Sequence, residues 1–461
     1  MSDSIRHEDK MGSMPIGRLL VSMSLPMMIS MFIQALYNVV DSMFVAMISE
    51  NALTAVSLAF PLFNVIIAIA VGTGVGMNAL IPRCLGAGDR DRAERAANTG
   101  IFLNACYYVL FVIFGFTMVR PFFLMQTDMT EIVDLGTEYF TIICMASAGA
   151  FFGQYFEKLL VSTGHSTLSM ISQATGAVIN IIFDPLLIFG IGPFPEMGVT
   201  GAAIATVFGQ CVAAGVAFWF NCTKNKSFRF RLRLIRPEWK VIKDIYAVGI
   251  PSMITVGLSS IMGFLINQIL LTYSTTATAV FGVWQRVQSF GYMALYGMNN
   301  GTIPILSYNL SAGNPNRVKK TIKLAFMVAL IISLFILAVV FLIPSQLLSL
   351  FSASENMLDI GRKALRICCL SFPFGGCSII LSSSFQSLRH SRYTLLINFS
   401  RQLFFMVPIA WLLSTLTKNL SAVWFAVPIA ECLSLTLAAV LFKRMAGTLS
   451  EPEKRLKPES V

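Results

Sequence analysis

Charge is what this sequence has least of. Asp, Glu, Lys and Arg make up 12% of it, against about 25% in a soluble globular domain. A chain of 461 residues so poor in charge cannot cover its folded surface against water, which excludes a soluble enzyme or binding module. Histidine is nearly absent: His7, His165 and His390 are the full set and leave little acid–base machinery. The nine cysteines, among them Cys106, Cys144, Cys211, Cys368, Cys369 and Cys377, lie scattered in apolar stretches. They form no C-x-x-C pair and no Cys/His metal spacing, so zinc and redox motifs are excluded and buried free thiols are expected. No nucleophile–base spacing and no phosphate-cradling loop stands out, so enzyme chemistry is not indicated. The opening MSDSIRHEDKMGSMPIGR is polar and mixed in charge. No short apolar core with a small-residue cleavage site follows it, so the first apolar segment is expected to direct insertion itself.

What is present is apolar sequence, 56% of the chain. Runs such as Ile101–Val119 and Val328–Ile343 recur from end to end, and a helix needs about 20 such residues to cross a bilayer. Twelve spans are expected, near 17–45, 52–80, 97–119, 137–161, 167–190, 198–221, 242–272, 277–306, 321–343, 360–386, 393–414 and 420–442. Several carry proline, among them Pro26, Pro185, Pro251 and Pro408, which kinks a helix and frees a backbone carbonyl. The formal charge of +11 would suggest nucleic acid on a soluble chain. Here the basic residues sit between spans, which points to topology and anionic lipid head groups, with no nucleic-acid partner. With a cytoplasmic amino terminus, inner segments hold 27 of the 34 Lys and Arg and outer loops hold four. That bias places both termini in the cytoplasm and the chain in the cytoplasmic (inner) membrane as a multi-pass protein.

Shifted by 225 residues, the chain matches itself. Pro26 meets Pro251, Gly72 meets Gly297, Gly76 meets Gly301, and Leu85-x-Ala87-Gly88 meets Leu310-x-Ala312-Gly313. The register holds over roughly seventy residues without a gap. Six spans per repeat is an even number, so the repeats are parallel, related by an axis along the membrane normal. The expected fold is all-α: an N-lobe of six helices over 1–222, a basic cytoplasmic linker over 223–241, a C-lobe of six helices over 242–445, and a cytoplasmic tail over 446–461. For the linker, a topology loop is a sufficient reading.

A charged group within a span costs roughly 2.5–3.5 kcal/mol on insertion scales and marks function by default. Asp41 lies one turn from Tyr37, and Asp184 one turn from Asn180; i, i+4 spacing puts each pair on one face. Both aspartates fall at similar depth, past the midpoints of spans one and five. Pro185 leaves the carbonyl of Ile181 without its intrahelical donor. Two carboxylates, an amide, a phenol and a loose carbonyl form a hard-oxygen cluster suited to Na⁺ at Asp41, Asp184 and Asn180, or to a proton. Desolvation disfavours the charged carboxylate, so one of the pair is expected to hold its proton. Glu157, beside Lys158, reads as an interfacial residue snorkelling from the end of span four. Glu431 lies deep in span twelve, where a buried acid bonded to Ser or Arg and a role in coupling or substrate charge are equally open readings. Arg286 is expected to neutralise an acid or sit at the outer mouth. The repeat places Ile266 opposite Asp41 and Val407 opposite Asp184, so the acidic pair is not duplicated and coupling is expected in the N-lobe alone. The 37 Phe and 24 Met would also suit a cavity for varied lipophilic cations.

Four stretches resemble the multidrug and toxic compound extrusion (MATE) transporters: LPMMISMFIQALYNVVDSMFVA, LGAGDRDRAERAANTG, FEKLLVSTGHS and NIIFDPLLIFGIGPFPEMGVTGAAIATVFGQ. The resemblance covers essentially the whole chain. It implies an antiporter, without cofactor and as a monomer, that expels organic cations against H⁺ or Na⁺ by alternating access. Matched by motif, Tyr37, Asp41, Asn180 and Asp184 resemble the N-lobe cation site of the DinF-type branch. Thr200 or Thr206 matches the hydroxyl which that branch places on span six, the choice between them open, and Gln154 stands for a polar residue on span four. The NorM-type branch has a glutamate in span seven, where this chain has Ser259 and no acid. Two alternatives remain beside efflux. A lipid-linked oligosaccharide flippase would need a cavity rich in Arg and Lys, whereas only Arg286, Arg366 and Arg401 lie in spans. A channel or sensor without coupled transport would not need two kinked halves.

Overall fold

In a computed structural model, which describes residues 10–351 and 354–449, the chain is helical throughout and contains no strand among the described residues. Twelve long helical elements follow one another. They are α1 (Ile16–Ile48), α2 (Glu50–Gly86), α3 (Arg90–Thr117), α4 (Thr130–Met145 and Ala148–Ser162, bent by 46°), α5 (Ser166–Ile188) and α6 (Gly198–Thr223). Then come α7 (Trp239–Leu271), α8 (Thr275–Ser311), α9 (Pro315–Leu342), α10 (Glu355–Ser387), α11 (Ser391–Thr417) and α12 (Leu420–Met445). Ten of them are long and apolar enough to cross a membrane, and the bent pair of α4 makes an eleventh. The expected eighth span, α8, has 37 residues but falls outside that set. Gln285, Arg286, Gln288, Asn299 and Asn300 punctuate it, so its length suffices and its composition does not. Residues 1–9 and 450–461, with most of the expected tail, lie outside the described residues.

The 225-residue register is written into the backbone. Ser49 caps α2 by accepting from the amide of Ala52, and Ser274 caps α8 by accepting from Ala277, both at 3.0 Å. A serine at this position satisfies one of the amides a helix start leaves open. Each capped helix runs 37 residues, and each follower, α3 and α9, runs 28. Between them the chain turns at Gly88 and Gly313, with φ of 74° and 73°, a left-handed conformation that glycine adopts without a Cβ clash. Six-residue helices follow at Val119–Leu124 and Pro344–Ser349, again 225 apart.

The chain forms two compact units. One comprises residues up to 14 and Ser22–Ile250; the other comprises Pro15–Val21 and everything from Pro251 onward. Two helices thus belong to both. The first turns of α1 belong with the second unit, and the first turns of α7 with the first. In the first unit Val241, Ile242 and Ile245 of α7 join Met77, Tyr155, Leu159 and Leu160 in one apolar core, while Phe111, Phe140 and Phe151 anchor another. Gly76 lets α7 approach closely: a Cβ there would lie 2.3 Å from the carbonyl oxygen of Ile245. In the second unit Leu381, Phe385, Ile397 and Ala438 form a core. Large apolar side chains such as Phe116, Ile331 and Phe335 stand exposed on helix flanks, as residues facing lipid do.

Candidate functional site

The site lies in the first unit, and α5 is its frame. Asn180 and Asp184, one turn apart, are joined by a hydrogen bond of 3.2 Å from Asn180 Nδ2 to Asp184 Oδ1. Both side chains are buried, and Asp184 is 0% exposed. The helix α6 can come close to this face because glycines meet at the crossing. A Cβ on Gly176 would lie 2.7 Å from the carbonyl oxygen of Gly209, and one on Gly209 would lie 2.7 Å from that of Gly176. That crossing brings Thr206 of α6 to Asn180, whose Nδ2 reaches Thr206 Oγ1 at 3.5 Å.

The helix α1 supplies Tyr37 and Asp41. Asp41, Asp184 and Tyr37 act electrostatically on one another, and all three act on Tyr139 of α4. Three oxygens here are buried without a hydrogen-bond partner: Asp41 Oδ1, Asp184 Oδ2 and Asn180 Oδ1. Buried acceptors are normally paired, and leaving one unpaired costs about 1–3 kcal/mol. Three together, two of them carboxylate oxygens, form an acceptor set that a proton or a small hard cation would complete. Among the described residues no group of three His, Cys, Asp or Glu side chains could hold a metal ion; the donor set here is two carboxylates, an amide and hydroxyls.

The four residues singled out as a cation site therefore come together, with Thr206 as a fifth. Thr200 is held elsewhere, donating to Glu138 Oε1 at 2.6 Å in an exposed pair. Gln154 is half-buried on the second piece of α4. Glu157 and Lys158 do not snorkel. They are 7% and 5% exposed, because α2 packs over the lysine; a Cβ on Gly74 would come within 2.8 Å of Lys158 Cγ. Glu157 lies within electrostatic range of Tyr37. In the second unit, Glu431 pairs with Arg401 at 3.2 Å while its Oε2 is buried without a partner. Arg401 stands in a π-helical stretch, Ser400–Met406. Arg286 neutralises no acid among the described residues; it is exposed, its guanidinium 5.7 Å from the ring centre of Phe351. Tyr139 is the residue that spacing could not find, since no polar neighbour one turn away marks it and only the packing of α4 brings it to α1 and α5.

Two stretches of the chain, residues 26–186 and 251–412, each match the MatE family model. The chain belongs to the MATE family. The two matches begin 225 residues apart, so the family's own unit is the repeat seen in the backbone. This MATE protein is 26% identical to a protein named FAD transporter from Shewanella oneidensis, over 96% of this chain and 97% of that one. It is 24% identical to the multidrug export protein MepA of Staphylococcus aureus over 93% of each. A solved outward-facing structure of a multidrug resistance MATE transporter superposes with a TM-score of 0.89 at 26% identity, covering 97% of this chain and 99% of that one. The MATE protein described here is thus a multi-pass membrane transporter with the two-lobe, twelve-helix fold.

Proposed function

We propose that this MATE protein is a secondary antiporter that exports lipophilic organic cations in exchange for H⁺ or Na⁺ by alternating access. The observation that carries the reading is the pair Asp41 and Asp184, each with a buried oxygen lacking a partner, held in one unit with Asn180, Thr206, Tyr37 and Tyr139. Such a set gains a proton or a hard cation at little reorganisation, and gaining it changes what α1 sees. Pro26 within α1 gives that helix a place to bend when its Asp41 end is neutralised. The motif resemblance of Tyr37, Asp41, Asn180 and Asp184 to a DinF-type N-lobe site supports this reading. The charge bias of the loops supports cytoplasmic termini and a cytoplasmic-membrane location, where the protein would work as a monomer without a cofactor.

The relative named FAD transporter raises a second reading, export of a flavin dinucleotide. A pyrophosphate needs cationic partners, whereas the buried arginine of the second unit, Arg401, is already engaged by Glu431, which favours cations as cargo. Ethidium accumulation in everted vesicles tests the first reading, with a pH gradient or a Na⁺ gradient imposed separately. Wild type should accumulate ethidium on one gradient, and Asp41→Asn should abolish this at an unchanged membrane level. Undiminished uptake in the variant would overturn the coupling role; no uptake on either gradient would overturn the cargo class.

A further inference from the structure

Between α6 and α7 runs a segment that the sequence describes as a topology loop, and its geometry is that of a fastened strap. Asn98 of α3, 0% exposed, grips its backbone twice: Asn98 Nδ2 donates to the carbonyl of Arg229 at 3.0 Å, and the amide of Arg231 donates to Asn98 Oδ1 at 2.9 Å. Thr99 donates to the carbonyl of Arg236 at 3.3 Å. Asn225 donates to Thr163 at 2.9 Å. Phe230 packs on Phe156 and Phe218, with ring centres 5.9 Å and 5.6 Å away. A loop that only obeyed the charge bias of topology would need none of these fastenings.

The fastening also sorts the charges. Three acids nearby are paired: Glu94 holds Arg231, Glu238 faces Arg95, and Asp244 holds Arg92; Asp89 caps the start of α3. Among the cations left over are Arg229, Arg233 and Arg236 and, just inside α7, Lys240, all exposed, with no acid paired to their side chains among the described residues. Beside them Trp239, the first residue of α7, is 78% exposed. Both ends of the strap lead directly into spanning helices, at Thr223 and Trp239, so its cations stand at head-group level. An exposed tryptophan at that level is what an interface anchor looks like.

We infer that this strap is a docking surface for anionic phospholipid head groups, a preformed cationic platform on the first unit. Phosphates of neighbouring lipids would lie against Arg229, Arg233, Arg236 and Lys240, with the indole of Trp239 among the glycerol backbones. Each cation near an anionic surface strengthens attachment about fivefold.

Native mass spectrometry of the purified protein tests this, with equimolar phosphatidylglycerol and phosphatidylcholine as probes. Wild type should retain phosphatidylglycerol in excess. Arg229→Gln/Arg233→Gln/Arg236→Gln/Lys240→Gln should lower the excess at least about tenfold, while Lys319→Gln/Lys320→Gln/Lys323→Gln/Lys443→Gln keeps it. The four strap side chains are exposed, so folding should survive; a wild-type titration to about 1 M salt, where screening acts beyond about 3 Å, reads the same attraction without any variant. An excess that persists in the strap variant or at high salt overturns the inference, as does an equal loss in the control variant. A short DNA duplex that displaces the lipid from the strap overturns the choice of partner.

Discussion

At the scale of single residues, the site depends on which hydroxyl of α6 faces Asn180. The sequence offers two threonines six positions apart, and a span with small residues on several sides does not say which one faces inward. The crossing at Gly176 and Gly209 decides it by bringing Thr206, not Thr200, against Asn180. Thr206→Val should therefore slow gradient-driven ethidium uptake several-fold, by loosening the amide that holds Asp184. Thr200→Val should leave the rate near wild type, since it breaks only an exposed bond to Glu138, away from Asn180. Initial rates of the two variants side by side check this, and the reverse order of effects would remove Thr206 from the site. The acids themselves were legible, because a carboxylate in an apolar run is conspicuous and i, i+4 spacing gives its companion. What covers a residue was not. Lys158 sits near a helix end, where snorkelling is the usual outcome, and only the contact with Gly74 of α2 shows that it is enclosed.

At the scale of elements, the halves agree where the backbone turns and differ where side chains meet in the interior. Gly88 and Gly313 were readable as a register because a tight turn demands a particular residue; the caps at Ser49 and Ser274 and the paired six-residue helices extend that register in the backbone. The same register has Gly164 in the left-handed region at φ 90° and Arg389 in its counterpart at φ 65°, so a required conformation survives the loss of the residue best suited to it. The π-helical stretch of α11 was not readable. It carries Arg401, and with it a buried ion pair, to Glu431 of α12. Removing one partner of such a pair leaves a buried charge and costs about 3–5 kcal/mol, whereas replacing both by apolar residues is often neutral. Arg401→Met should accordingly lower the thermal transition of the purified protein markedly, and Arg401→Met/Glu431→Leu should recover most of it. A transport defect that persists in the stable double variant would assign the pair a role in the cycle; full activity would make it a structural clasp.

At the scale of the molecule, the two units are not the two halves of the sequence. The repeat made a boundary between spans six and seven look natural, but compactness places it at Ile250 and Pro251, with Pro15–Val21 exchanged to the second unit. The reason is physical: Val241, Ile242 and Ile245 complete the core around Tyr155 and Leu159. A fragment ending after residue 250 should thus resist protease in membranes better than one ending at residue 223, although both contain six whole spans. Equal digestion rates would mean that the core closes without α7.

This exchange also sets an order on biosynthesis. The ribosome delivers spans one to six before the turns of α7 that finish their core, so the first unit stays incomplete through the synthesis of the strap and closes only as residue 250 emerges. The second unit faces the opposite schedule: the piece it borrows, Pro15–Val21, is made well before Leu324 of α9, which a Cβ on Gly17 would touch at 4.0 Å. A chaperone or insertase handling this chain would have to shelter one end of α1 at least until α9 is made.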